Sequence, residues 1–305
     1  MMAIEPNLFE RVGTDIERSQ RIVRPSLTYW QDAWRRLKMN KMAMVSLVVL
    51  GVIVAMAVIG PHLRPFAFSD QDLYAVFSPP NAEHWFGTDS LGRDLFVRVW
   101  MGARVSLRIG IAAALLDILI GMLYGGISGY IGGQTDNIMM RIVDILYAIP
   151  YMIIVILLMI VMEPGELTLI IAMSITGWVG TARLVRGQVL QLKEQEFVLA
   201  ARALGASPWR IIIHHMFPNI LGIMIVQMTM DIPAAIFSEA FLSYIGLGIK
   251  LPNASWGSLA SDGIRQVVSR PWLLIFPALF ISLTMLAFNL LGDGLRDALD
   301  PKMRS

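Results

Sequence analysis

The sequence predicts an all-α integral membrane protein with about six transmembrane helices, and three observations carry that prediction. Hydrophobic residues make up 56% of the chain and charged residues 16%, an apolar balance beyond that of soluble domains. The mean hydropathy is +0.61. Six stretches are long enough to cross a hydrocarbon core of ~30 Å, which takes roughly 20 residues at about 1.5 Å of rise each. They run from Ala43 to Ile59, Val105 to Ile131, Ile138 to Met162, Leu167 to Leu190, Ile220 to Ile245 and Trp272 to Leu291.

Basic residues orient the spans, because cationic loops stay on the cytoplasmic side. Arg11, Arg18, Arg21, Arg24, Arg35, Arg36, Lys38 and Lys41 precede the first span. Residues 1–42 therefore read as a cytoplasmic leader, and 43–104 as the first span plus an external segment. Residues 105–291 form a five-span core with a cytoplasmic loop at 190–218 and an external segment at 246–271; 292–305, with Arg296, Lys302 and Arg304, form a cytoplasmic tail. Ala55 and Ala57 mimic a signal-peptide cleavage site, but a charged leader of this length argues against cleavage. Residues 26–41 place Trp30, Trp34 and Leu37 on one helical face, as in an amphipathic helix lying on the inner leaflet.

Composition also excludes chemistry. The chain has no cysteine, so it forms no disulfide, thiolate metal site or cysteine nucleophile. A net charge of +2 gives no nucleic-acid footprint. His62, His84, His214 and His215 follow no metal-binding spacing, and no G-x-S-x-G elbow occurs. No catalytic residue and no metal site is expected.

The loop from Gln195 to Arg210 divides into two short helices. Gly205 suits a left-handed helix stop, while Ser207 as N-cap and Pro208 at the first position open the next helix. Small residues at Ala200 and Ala201 would let another backbone approach, so the loop can dock a partner. A DNA-binding helix-turn-helix has similar spacing, but here Ile211-Ile212-Ile213 carries few bases and is tethered between spans. A plain connector is the remaining alternative.

Glu196, Ala200, Ala201, Gly205 and Pro218 resemble the E-A-A loop of binding-protein-dependent ABC importer permeases; His215-Met216-Phe217-Pro218 replaces the usual Ile-x-Leu-Pro. The run His84 to Asp94, containing Gly87, Thr88, Asp89, Gly92, Arg93 and Asp94, resembles the external signature of dipeptide, oligopeptide and nickel permeases. So do Gly102 to Leu107, Glu239 to Gly248 and the ending Gly292 to Pro301. The chain is thus similar to the C-type subunits of the oligopeptide branch from Trp30 onward. The resemblance implies a type I importer permease fold with a cytoplasmic coupling helix, in the cytoplasmic membrane of a prokaryote. It implies a sister permease as heterodimer partner, two cytoplasmic ATPase subunits that carry ATP and magnesium, an extracytoplasmic peptide-binding protein, and a peptide substrate. No cofactor and no nucleic acid is expected on this chain. Nickel transport is the alternative within the family; outside it stand an ion-coupled secondary transporter, whose inverted repeat is not seen, and a membrane-embedded enzyme without a visible catalytic set.

Gly87 to Asp94 also has the spacing of a phosphate-binding loop, but Arg93 replaces its lysine and Asp94 its hydroxyl. A structured external turn is the better reading, over direct contact with the binding protein. Gly121, Gly125, Gly129 and Gly133 form a four-residue repeat that favours close helix packing, on this chain or a sister subunit. Ionisable groups within spans are costly and face protein or water; Asp117, Arg141, Asp144, Asp231 and Glu239 are such groups. Arg141 and Asp144, three apart, are expected to neutralise each other. Asp117 and Asp231 lack local partners and either line a pathway or bond across helices. Pro150 and Pro233 interrupt the helical hydrogen-bond ladder and are expected to border a cavity.

The charge pattern makes a topology prediction that single cysteines in this cysteine-free chain can check. Cysteines at Ser90 and Ser261 should react with an impermeant thiol reagent in whole cells, and one at Ser207 should not. Labelling confined to Ser207 would invert the orientation.

Overall fold

A computed structural model describes residues 28–299; helices are their regular structure, joined by an irregular segment at 63–94 that holds a lone antiparallel bridge between Thr88 and Asp94. Helix α1 spans Tyr29–Met39. Asn40 ends it and at once caps α2 (Lys41–Ile59), its side-chain oxygen accepting from the Ala43 N–H at 3.1 Å. The third helix, α3, runs over Leu95–Ile131 from an Asp94 cap. Gly132, at φ 71°, stops it. There follow α4 (Gly133–Ala148) and α5 (Tyr151–Val161), then α6 (Glu166–Lys193), α7 (Glu196–Ala203), α8 (Pro208–Tyr244), α9 (Trp256–Ile264) and α10 (Trp272–Leu299).

Among the described residues, five helices are long and apolar enough to cross a membrane: α2, α3, α6, α8 and α10; α4 and α5 make a sixth only as a bent pair. The expected third span, Ile138 to Met162, is therefore not one rod. The pair bends by 81° at Ile149-Pro150, because the residue before proline is driven from helical geometry and proline has no N–H to give the ladder. Other boundaries also move. The second span begins at Leu95 rather than Val105, where Asp94 can cap it. The fifth begins at Pro208 rather than Ile220, so the second half of the loop belongs to α8. Residues 292–299 continue α10 instead of starting a tail. In α1 the Ala33 and Leu37 edge is buried, while Trp30 and Trp34 stay exposed. Leu37 thus packs with Ala43 and Leu291 instead of sharing an outward apolar face with the tryptophans.

At the centre lies α3, packed on α6, α8 and α2. Along its contact with α6, a Cβ on Gly121 would meet the Thr181 side chain at 2.6 Å, and one on Gly129 would meet the Arg186 carbonyl at 3.0 Å. Gly125 sits against the Ala182 carbonyl, with the Arg186 nitrogen 3.0 Å from its absent Cβ. The glycine stripe therefore serves packing within this chain, and lipid tails would not drive such contact hydrophobically. Gly133 is not part of it: it lies beyond the break at Gly132, at φ 59°, with nothing near its Cβ position. One apolar cluster joins α2, α3, α9 and α10 around Trp100 and Trp256; a second joins α3, α6, α7 and α8 around Val189, Val198, Ile211 and Met216.

Overpacking a close contact costs about 1–3 kcal/mol. Gly125→Ala should therefore lower the melting temperature and the membrane yield of the protein, whereas Gly187→Ala, on open space in the same region, should not. Equal melting temperatures for the two variants, read by thermal unfolding in detergent, would contradict this account of the α3 and α6 contact.

Candidate functional site

The Gln195 to Arg210 loop folds as two helices around a fixed turn. Gly205 stands at φ 79° with open space about it, so its backbone conformation alone selects glycine. The Ala206 N–H reaches back to the Ala201 carbonyl at 3.1 Å and the Gly205 N–H to Arg202 at 3.0 Å, which closes the end of α7 with a Schellman motif. Ser207 Oγ accepts from the Arg210 N–H at 3.4 Å and Pro208 takes the first position of α8. Glu196 is exposed in the first turn of α7, where the helix dipole favours a carboxylate.

Val198, Ile211 and Met216 are fully buried beneath the loop. Ala201 packs on them and also lines the groove beside the loop, whereas Ala200 is exposed. The reason is rotational: one α-helical step of about 100° carries consecutive alanines to different faces. A groove of about 670 Å³ remains, lined by Phe197, Ala200, Leu204, Gly205, Arg210 and His215. Its rim is apolar, Leu204 being 88% exposed. From the loop α8 runs on without a gap. Its Ile211–Met216 stretch is widened to π geometry, with the Phe217 N–H on the Ile212 carbonyl, just ahead of Pro218, which has no N–H to donate.

Further along, α3, α5, α6 and α8 line an open cavity of about 240 Å³. Asp117, Tyr151, Gly177, Asp231 and Ser238 are among its lining residues. Asp231 accepts from Gln227 Nε2 at 2.8 Å. The Asp117 Oδ1, Asp231 Oδ2 and Tyr151 hydroxyl atoms are shut from solvent without a hydrogen-bond partner. Both expected proline sites border this space: Tyr151 follows Pro150, and Asp231 and Ala234 flank Pro233.

Glu239, fully buried, is held differently. Its carboxylate accepts from Ser106 at 3.1 Å, Ser243 at 2.7 Å and Ser255 at 2.5 Å, with the Gly257 backbone N–H as a further donor. Ser106 accepts in turn from the Trp256 N–H at 3.1 Å. One carboxylate thus joins α3, α8 and the N-terminus of α9.

Arg141 and Asp144 do not pair. Arg183 of α6 bonds Asp144 at 2.7 Å, and Arg141 is exposed without an ion pair among the described residues. Here the arginine on the facing helix takes the acid, and the one three residues back on the same helix does not. Sequence reasoning missed the strongest such pair, Asp136 of α4 with Arg186 of α6, two bonds of 2.6 Å with Ser128 adding a third at 2.5 Å. Its signal was an arginine inside an apolar span without a local acid.

The external signature folds into a buried brace. Asp89 bonds the Leu91 N–H at 2.8 Å and Arg93 Nε at 2.7 Å, and Arg98 Nε stands 3.3 Å from it. Asp94 caps α3 and accepts from His84 Nδ1 at 2.8 Å. Gly92, at φ 71°, has the Asp72 carbonyl where a Cβ would be, and Gly87 has the Ser78 carbonyl 2.6 Å from its own Cβ position. Thr88, Asp89, Arg93 and Asp94 are all buried, an arrangement of a structural turn and not of an open contact surface. Arg98, 1% exposed, was also missed; it donates to the Phe68 carbonyl at 3.1 Å. Nearby, burial raises the Asp262 carboxyl above its ordinary range, with Arg265 and Arg98 partly offsetting it. Ser261 is 8% exposed, so Val268, 96% exposed in the same segment, is the better external labelling position.

Residues 118–305 match the family model described as binding-protein-dependent transport system inner membrane component, and residues 28–80 match the N-terminal transmembrane domain of oligopeptide transport permease C. The dipeptide transport system permease protein DppC of Bacillus subtilis is 58% identical over 93% of this chain and 89% of its own length. The oligopeptide transport system permease protein OppC of the same species is 53% identical over the full length of both. OppC of Escherichia coli K12 is 46% identical over 90% of this chain and 92% of its own.

A buried donor left without its acceptor costs about 1–3 kcal/mol. Glu239→Ala should strand three serine hydroxyls and lower the melting temperature by several degrees, while Glu239→Gln, which keeps one carbonyl oxygen, should cost less. Thermal unfolding of the purified variants tests the ranking, and an unshifted Glu239→Ala would remove the carboxylate from its structural role.

Proposed function

The chain belongs to the family of binding-protein-dependent transport system inner membrane components, and from that premise we propose that it is the C-type permease subunit of a peptide importer. It contributes half of a channel: one set of spans and one docking loop. A sister permease supplies the other half, and an external binding protein delivers the peptide. ATP and magnesium are handled on two cytoplasmic ATPase subunits, so this chain moves substrate without catalysing a reaction. Both termini lie on the cytoplasmic side, in keeping with the positive-inside rule.

The observation that carries this reading is the continuity of the loop with α8. The Schellman turn at Gly205 gives α7 one fixed attitude, and the 670 Å³ groove beside it is open to an inserted side chain. Movement imposed on α7 passes through Pro208–Tyr244 as a single helix and so reaches Asp231 and Glu239. The helix thereby couples an ATPase contact at one end to the cavity and the external side at the other. Alternating access follows when closure of the ATPase pair tilts this helix against α3.

Gly205→Val would place a branched residue at φ 79°, a conformation that disfavours a Cβ by about 1–2 kcal/mol. Ala200→Asp would put a charge on the exposed lip of the groove without touching the core beneath. Both variants should reach the membrane in near-normal amount. Both should reduce uptake of a labelled peptide by about tenfold or more, a loss of the order set by one interface hot spot, and should release the ATPase subunits or uncouple their hydrolysis. Wild-type uptake by either variant, measured beside membrane abundance and ATPase co-purification in the same cells, would reduce the loop to a connector.

A further inference from the structure

We propose that the cavity bounded by Asp117, Tyr151 and Asp231 is a subsite for a primary ammonium group of the peptide in transit. The identity of that ligand, but not the cation preference of the cavity, rests on the peptide-importer reading.

Three separate helices, α3, α5 and α8, each bring one oxygen to this space, and each of those oxygens is cut off from solvent without a partner. A buried polar atom without a partner is rare in folded proteins and needs a reason. Here the atoms share a chemistry. Two carboxylates and a phenol offer acceptors, while no lysine, arginine or histidine among the described residues lines the cavity. Glu239, about two turns beyond Asp231 along α8, is the internal contrast: its carboxylate is saturated by donors from its own chain. Asp117 and Asp231 are left unsaturated where the chain has an opening.

The space for Asp117 is also built. Gly177 of α6 lies so close that a Cβ there would collide with the Asp117 carboxylate, its Cγ being 2.6 Å from the Cβ position. Any side chain at residue 177 would therefore displace the carboxylate. Acidic groups inside a membrane protein mark sites where a cation passes or binds. A primary ammonium group has three N–H donors and no acceptor, which suits a lining that offers carboxylate and phenol oxygens. A volume of about 240 Å³ admits an ammonium with its first few carbons but not a whole oligopeptide. The cavity thus takes one end or one side chain of the peptide. The remainder lies where the sister subunit closes the path.

The chain has no cysteine, so Ser238→Cys places a single reporter thiol on the cavity wall. The full transporter carrying it, in membrane vesicles, is treated with an aminoethyl or a sulfonatoethyl methanethiosulfonate, and the mass of this chain is followed in time. The aminoethyl reagent should react at least about tenfold faster than the sulfonate, relative to a free thiol, as expected where carboxylates concentrate a cation. That preference should vanish in Asp117→Asn/Asp231→Asn. A peptide with a free amino terminus and no lysine should slow the reaction, and its N-acetylated form should not. An acetylated peptide with one lysine then separates the two sources of ammonium: protection by it adds the side chain to the terminus as a ligand. Equal reagent rates with both carboxylates present, or equal protection by free and acetylated lysine-free peptides, would overturn the subsite. Peptide uptake by the unaltered transporter is measured alongside. Its absence would count against the importer reading, whereas normal uptake without charge preference would count against the subsite alone.

Discussion

Hydrocarbon offers no hydrogen-bond partner, so every polar atom within the membrane must be satisfied by the protein or by what the protein encloses. Much of this architecture follows from that constraint. The carboxylate of Glu239 is bearable at full burial because three serines and a backbone N–H converge on it. In doing so it pins α9 between α3 and α8, and Trp256 completes the joint with its indole N–H on the Val99 carbonyl at 3.0 Å. Asp136 and Arg186 satisfy one another across α4 and α6. Where the constraint is met least, at Asp117, Tyr151 and Asp231, the chain has a cavity.

The same constraint explains why the two prolines act differently. Pro150 follows the end of α4, and the chain reorients there by 81°. Pro233 lies inside α8, buried, and the helix continues through it. A proline in a helix loses one bond and crowds the carbonyl four residues back. Neighbouring helices can absorb that cost when they pack on both sides, as α3 and α10 do for α8. The α4 and α5 pair packs chiefly on α6, and its outer side is exposed. Helix α8 thus runs on from the groove beside Gly205 to Glu239.

Helix packing without a hydrophobic drive relies on close backbone approach. Gly121, Gly125 and Gly129 provide it for α3 on α6, and the external brace at Asp89 and Asp94 sets where α3 begins. Gly102 continues the pattern toward the N-terminal end of α3, with the Ser255 backbone 3.1 Å from its absent Cβ. One helix thus contacts α6 through glycines at one end and α9 through glycine and serine at the other. The cavity lies on the flank of α3, at Asp117.

The sequence by itself determined whatever depends on neighbours along the chain. Span length, apolar content, the four-residue glycine repeat and the Gly205, Ser207, Pro208 turn are local, because helical period, capping and the left-handed stop act over a few residues. Asp117 and Asp231 were visible as charges out of place, and Pro150 and Pro233 as breaks beside a cavity. Pairing was not visible. That Asp144 meets Arg183 and not Arg141, that Asp136 holds Arg186, and that Ala201 faces inward while Ala200 faces out depend on how each helix is rotated and offset against the next. Only the tertiary structure fixes those two quantities. Asp144, three residues from Arg141 on its own helix, pairs instead with Arg183 on the facing one. Three acceptors drawn from α3, α5 and α8 become one cavity for the same reason: the sequence names the groups, and the packing of glycines and serines decides which of them meet.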